Sequence, residues 1–110
     1  MTDYAQEIQI TLDEANEKID AGESLLRLRR NKDFKRLIEK GYLNDEALRL
    51  VAARANPNLT EQQRESLVTQ IDGIAHFQNF MNLILQEAHY FEDVKREYEN
   101  SLSVDDDEVA

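Results

Sequence analysis

Seven cations fall within fourteen residues, Arg27, Arg29, Arg30, Lys32, Lys35, Arg36 and Lys40, against two acidic side chains, Asp33 and Glu39. A cluster of this density can hold phosphates or an acidic protein surface through charge-assisted hydrogen bonds. The blander use of the same residues is internal compensation, with Asp13, Glu14, Glu17, Asp20 and Glu23 or the acidic C-terminus turned toward them. Lysine and arginine are ordinary on solvated helix faces, and the cluster lacks the interleaved aromatics of single-strand nucleic-acid binders. His76 and His89 are the two imidazoles. His89 and Glu92 lie three apart, a helical spacing that can share a metal, but a di-metal carboxylate centre needs paired motifs on facing helices and none is present. The expectation is structural histidine and no metal. There is no HExxH, no glycine-rich phosphate loop, and no serine nucleophile with a base at a recognisable spacing, so no catalytic or cofactor-binding residue is assigned and a non-enzymatic protein is expected. Tyr90, Phe91 and Tyr98 can anchor a partner, although an aromatic stripe at helical spacing is more often core. Asn58-Leu59-Thr60 is a glycosylation sequon, which matters only in a secreted chain.

The chain of 110 residues has a net charge of −10, three glycines, one proline, no cysteine and 33% charged residues. That length fits one domain with a modest core, and the abundance of strong helix formers points to an all-α protein. The charge disfavours nonspecific binding to DNA or anionic lipid by the molecule as a whole, while leaving room for a local basic face. Absence of cysteine suits a reducing compartment, and the acidic start MTDYAQEI and short apolar runs predict neither secretion nor a membrane span. The charge is also divided in blocks. Residues 1–26 carry seven acidic side chains against one lysine, and the chain ends in Asp105-Asp106-Asp107-Glu108.

The elements that must position these groups follow from periodicity. Ile8, Leu12, Ala15, Ile19, Gly22 and Leu26 alternate by four and three, a coiled-coil-like seam on a helix from about Asp3 to Arg29. Asn31 is placed to cap a short helix over 32–40, with Gly41 as its left-handed terminus and Tyr42 folding back on Leu37. Asn44 then caps a second short helix whose buried side is Leu48, Val51, Ala52 and Ala55, stopped by Asn56-Pro57. Helix-turn-helix spacing over Phe34 to Leu50 is spoiled for DNA reading by Asp45 and Glu46, which repel phosphates. Thr60-Glu61-Gln62-Gln63 is a capping box opening a long helix with an apolar stripe of Leu67, Ile71, Ile74, Phe77, Met81, Ile84, Ala88, Phe91, Val94, Tyr98 and Leu102. Carried to Ser101 it would be roughly 60 Å long, and Gly73 is its weak point. The predicted fold is two long antiparallel helices with a short helical hairpin between them, coiled-coil-like. Residues 1–102 form one domain and 103–110 a disordered acidic tail.

Asn31, Asp33, Phe34, Gly41-Tyr42, Glu46-Ala47, Arg49-Leu50, Asn56-Pro57, Ile71, Gly73 and Ile74 together resemble a group of small acidic helical proteins encoded among the structural genes of tailed bacteriophages, over about residues 25–85. These are mostly cap, turn and core positions, so the resemblance speaks for a shared fold. It implies a phage-encoded, non-enzymatic protein made in the host cytoplasm, and potentially virion-associated, that acts in virion morphogenesis as a head-assembly or DNA-packaging accessory. It transfers no catalytic residue.

Two other classes compete: a phage inhibitor of a host enzyme or nucleic-acid mimic, suggested by the acidity, and an oligomeric DNA-packaging subunit, suggested by long helices and the basic cluster. The expected partners are a phage or host protein and a second copy of the chain, with nucleic acid less favoured and no membrane. Self-association is expected through Leu67, Ile71, Ile74, Phe77, Met81, Ile84 and Phe91, because so long an apolar face left uncovered exceeds what soluble monomers tolerate. The acidic tail is expected to compete intramolecularly for the basic cluster, at a range set by a screening length of about 8 Å.

Overall fold

The computed structural model describes the backbone of residues 4–109 and the side chains of residues 4–101; it is 93% helical, with no strand among the described residues. The elements are α1 (Tyr4–Arg30), α2 (Lys32–Phe34), a π-helix π1 (Lys35–Glu46), α3 (Ala47–Arg54) and α4 (Glu61–Val109). α2, π1 and α3 abut without a break, so one short middle helix stands between two long ones. The chain divides into two compact units, one made of residues 1–25 and 83–110, the other of residues 26–82.

In the first unit α1 and the later part of α4 pack antiparallel. The α1 seam runs through small residues: Ala15 is fully buried, Gly22 is buried, and Ile8, Leu12 and Ile19 are half-buried. A β-carbon added to Gly22 would lie 2.4 Å from that of Ala88, so the two backbones approach as closely as they do because neither position carries more than a methyl group. The end of the seam differs from expectation. Leu25 is buried and Leu26 is 46% exposed. Half-buried Thr11 and Lys18 mark a parallel four–three row through Ala15 and Gly22 that next reaches Leu25. Lys18 lays its stem along this row and brings its ammonium 3.2 Å from Glu87, a surface pair that contributes little by itself. On α4, Ala88 is buried and Ile84, Phe91, Val94 and Tyr98 are half-buried, as the stripe predicts.

In the second unit the caps fall where the sequence places them. The Asn31 side chain accepts from the Asp33 and Phe34 amides at 2.9 and 3.0 Å. Thr60 and Gln63 exchange reciprocal bonds, Gln63 N–H to Thr60 Oγ1 at 3.1 Å and Thr60 N–H to Gln63 Oε1 at 3.0 Å, which is the capping box. α3 ends at Arg54 before Asn56-Pro57, and the Asn58 amide donates to Asn56 Oδ1 at 3.0 Å.

The predicted hairpin turn is not made. Gly41 has no positive φ and Asn44 caps nothing; its amide donates to Asp45 Oδ1 at 3.1 Å inside the helix. Instead of folding back on Leu37, the Tyr42 ring meets Phe77 edge-on at 5.9 Å. The physical reason is hydrophobic phase. Phe34, Ile38, Tyr42, Glu46 and Leu50 recur every four residues, and in an α-helix each step of four overshoots a full turn by about 40°, so the row would wind off the interface. The wider turn of a π-helix, with its i→i+5 bonds, takes up that drift and keeps Phe34, Ile38, Tyr42 and Glu46 half-buried and Leu50 1% exposed. With the phase carried through Gly41 rather than reset at Asn44, α3 turns its expected core outward. Leu48 and Val51 are 62% and 55% exposed, Ala52 and Ala55 are exposed, and Leu50 is the buried residue.

α4 runs unbroken through Gly73 and onward to Val109, past the end expected near Ser101, and includes residues 103–109 of the segment whose composition predicts disorder. Once a helix is nucleated, each further residue costs little to add. The side chains of that segment, and of Leu102, lie outside the described residues. A methyl group on Gly73 would meet nothing within 4 Å. Gly73→Ala is therefore expected to stabilise the protein by about 0.5–1 kcal/mol through helix propensity alone, seen as a higher urea midpoint with an unchanged slope.

Candidate interaction surface

The cationic cluster belongs to the second unit, which begins at Leu26. All seven of its side chains are exposed. Two have acidic partners from within the segment: Arg29 Nε donates to Glu39 Oε1 at 3.1 Å, and Arg36 lies 3.6 Å from Asp33. Arg30, Lys32, Lys35 and Lys40 form no ion pair among the described residues. Within the first unit, Gln9 donates to Asp13 at 2.9 Å, and Glu87 of α4 takes Lys18 of α1.

π1 also sets the pattern of this surface. Residues five apart on an α-helix are about 140° apart in azimuth. In a π-helix the hydrogen bond itself links residues five apart, so Lys35 and Lys40 come onto one face. Exposed leucines accompany the charges, Leu28 at 47% and Leu37 at 59% exposure, giving an amphipathic rather than a purely ionic surface. The continuous middle helix has no turn, so the helix-turn-helix spacing over Phe34 to Leu50 does not become a DNA-reading motif.

The residues expected to mediate self-association are placed on faces that the chain itself covers to differing degrees. Ile74 is 4% exposed, Leu67, Ile71, Met81, Ile84 and Phe91 are half-buried, and Phe77, still 37% exposed, packs on Tyr42. The large apolar side chains left open on α4 are instead Phe80, Leu83 and Tyr90, of which Tyr90 is 63% exposed and stacks edge-on with Phe91 at 5.1 Å. Tyr98 is half-buried.

An open groove of 360 Å³ in the second unit is floored by Tyr42, Leu50, Gly73 and Ile74 and edged by Glu46, Thr69 and Gln70. Its polar edge is already engaged. Arg49 holds Glu46 in a bidentate pair, with Nε donating to Oε2 at 3.0 Å, and this hydrogen bond keeps the Glu46 carboxyl below, and the Arg49 guanidinium above, its ordinary range. Thr69 and Gln70 donate to the carbonyls of Glu65 and Ser66. Glu46 and Arg49 are each named from sequence but not paired with each other. The signal that could have found them is the four-residue row from Phe34 to Leu50, on which Glu46 lies.

His89 sits 4.0 Å from both Glu92 and Asp93, contacts that become ion pairs when the imidazole is protonated. Among the described residues no three His, Cys, Asp or Glu side chains converge on a common point, and no helix is long and apolar enough to cross a membrane. No family model, no curated protein and no solved structure matches the chain.

Proposed function

We propose that this chain is a non-enzymatic protein of a tailed bacteriophage, acting in the host cytoplasm in virion morphogenesis, as an accessory of head assembly or DNA packaging, by docking on another protein. The observation that carries the docking is the open cationic segment. Four cations held without partners beside exposed leucines, in a chain of net charge −10, concentrate attraction for an acidic surface in one place. The phage context comes from the resemblance of the cap, turn and core residues over 25–85. Isolated surface charges contribute little to folding, so this segregation is better accounted for by recognition than by stability.

The test is affinity capture from infected cells with the tagged wild-type chain and with a variant carrying Arg30→Gln, Lys32→Gln, Lys35→Gln and Lys40→Gln. Head or packaging components should co-purify with wild type and be lost with the variant, while both retain the same helix content. Capture of a host enzyme alone, with no virion component, would point to the inhibitor class and end the morphogenesis reading.

A further inference from the structure

The two compact units carry opposite net charge. Residues 26–82 hold ten lysines and arginines against seven acidic residues, a net of +3, whereas residues 1–25 and 83–110 hold three against sixteen, a net of −13. Their exposed faces match in kind. In the second unit Arg30, Lys32, Lys35 and Lys40 stand open with Leu28 and Leu37. In the first, Asp13, Glu14, Glu17 and Asp20 are exposed on α1, and Ile10, 63% exposed, lies three and four residues before Asp13 and Glu14 and hence on their face.

We infer that the cationic segment docks on the acidic face of α1 in a second copy of the chain, so that copies associate head to tail. The inference rests on reading the cationic segment as a protein-docking face and names its first partner. The occupant is a second copy because the complementary charge and an accompanying apolar residue both lie on this same chain. The two surfaces are different, so the contact is heterologous: however many copies have docked, the open assembly still presents one free cationic segment and one free acidic face, and association continues until a ring closes or a filament forms. Steering by opposite charge also makes it dependent on salt.

Two charge-reversal variants test this by sedimentation velocity. One carries Arg30→Glu, Lys32→Glu and Lys35→Glu, the other Asp13→Lys, Glu17→Lys and Asp20→Lys. Wild type should exceed the 12.8 kDa monomer at low salt and fall to it near 1 M salt, where the screening length is about 3 Å. Each variant alone should be monomeric, because its two faces then carry the same sign, and an equimolar mixture should regain the larger species. Recovery in the mixture also shows that both variants are folded, and circular dichroism of each checks this independently. Monomeric wild type at low salt, or an oligomer that survives both reversals and high salt, overturns the inference while leaving capture of virion components as a separate question. Binding of a DNA duplex that depends on Arg30, Lys32 and Lys35, with wild type remaining monomeric, overturns both the inference and the protein-docking reading beneath it.

Discussion

Leu50→Ala is expected to remove about 2–5 kcal/mol of stability, a large share of the roughly 5–15 kcal/mol available to a domain of this size. Leu50 is 1% exposed and is the largest fully buried side chain of the described residues, so truncation leaves a hole between the middle helix and α4 rather than a surface dimple. Leu48 and Val51 provide the contrast. At 62% and 55% exposure they offer little to lose, and Leu48→Ala and Val51→Ala should each stay within about 0.5 kcal/mol of wild type. Urea unfolding followed by far-ultraviolet circular dichroism measures all three. The reverse ranking, with Val51 costly and Leu50 neutral, would mean that the middle helix is broken at Gly41 and that the π-helical register is wrong.

The second large effect is expected at Gly22. A branched side chain there has no room, because even a β-carbon would stand 2.4 Å from that of Ala88 and 4.0 Å from the Ile84 carbonyl oxygen. Gly22→Leu should force α1 and α4 apart and destabilise by about 1–3 kcal/mol or more from overpacking. Gly22→Ala is the finer probe. It gains about 1 kcal/mol of helix propensity but meets the same obstruction, so its net effect should be smaller than that of leucine. Adding Ala88→Gly to Gly22→Ala removes the obstructing methyl, and the pair should be more stable than the sum of the single changes predicts. Wild-type stability in Gly22→Leu would show that the two helices do not approach at this point.

The parts of the fold legible in the sequence are those set by a few neighbouring residues. Asn31 and the Thr60–Gln63 capping box act through bonds two or three residues away, and both form as read. The stop at Asn56-Pro57 is equally local. The seam of α1 and the stripe of α4 were legible because small and apolar residues repeat over many turns, which averages out single errors; the misplacement at Leu25 and Leu26 came where the run ends. The middle helix was misread for the opposite reason. Gly41 has the residue type of a helix terminus, yet glycine is only tolerant of left-handed backbone and does not demand it. A β-carbon at Gly41 would come within 3.1 Å of the Arg36 carbonyl five residues earlier, a closeness that π-helical bonding produces. The competing signal, five residues spaced by four, is weak unless π-helix is weighed as an outcome, and twelve residues of it is far beyond the usual single turn. Of the candidate site, the identity of the cationic residues was readable and their exposure was a fair expectation. Which of them are quenched was not, since Arg29 meets Glu39 ten residues away and only the folded helix junction brings them together.

π1 also bears on how this chain can change in length. Each of its hydrogen-bonded turns contains one residue more than an α-helical turn, as though a residue had been inserted and accommodated without disturbing its surroundings. Loss of a single residue within 35–46 can then be absorbed by letting one turn tighten to α, with α2 and α3 keeping their faces. The same loss in α1 would rotate every later residue by about 100° and carry Gly22 away from Ala88. The middle helix is thus the place where the protein can shed a residue and keep the faces of its flanking helices, while a loss between the start of α1 and Gly22 disturbs the close approach to Ala88.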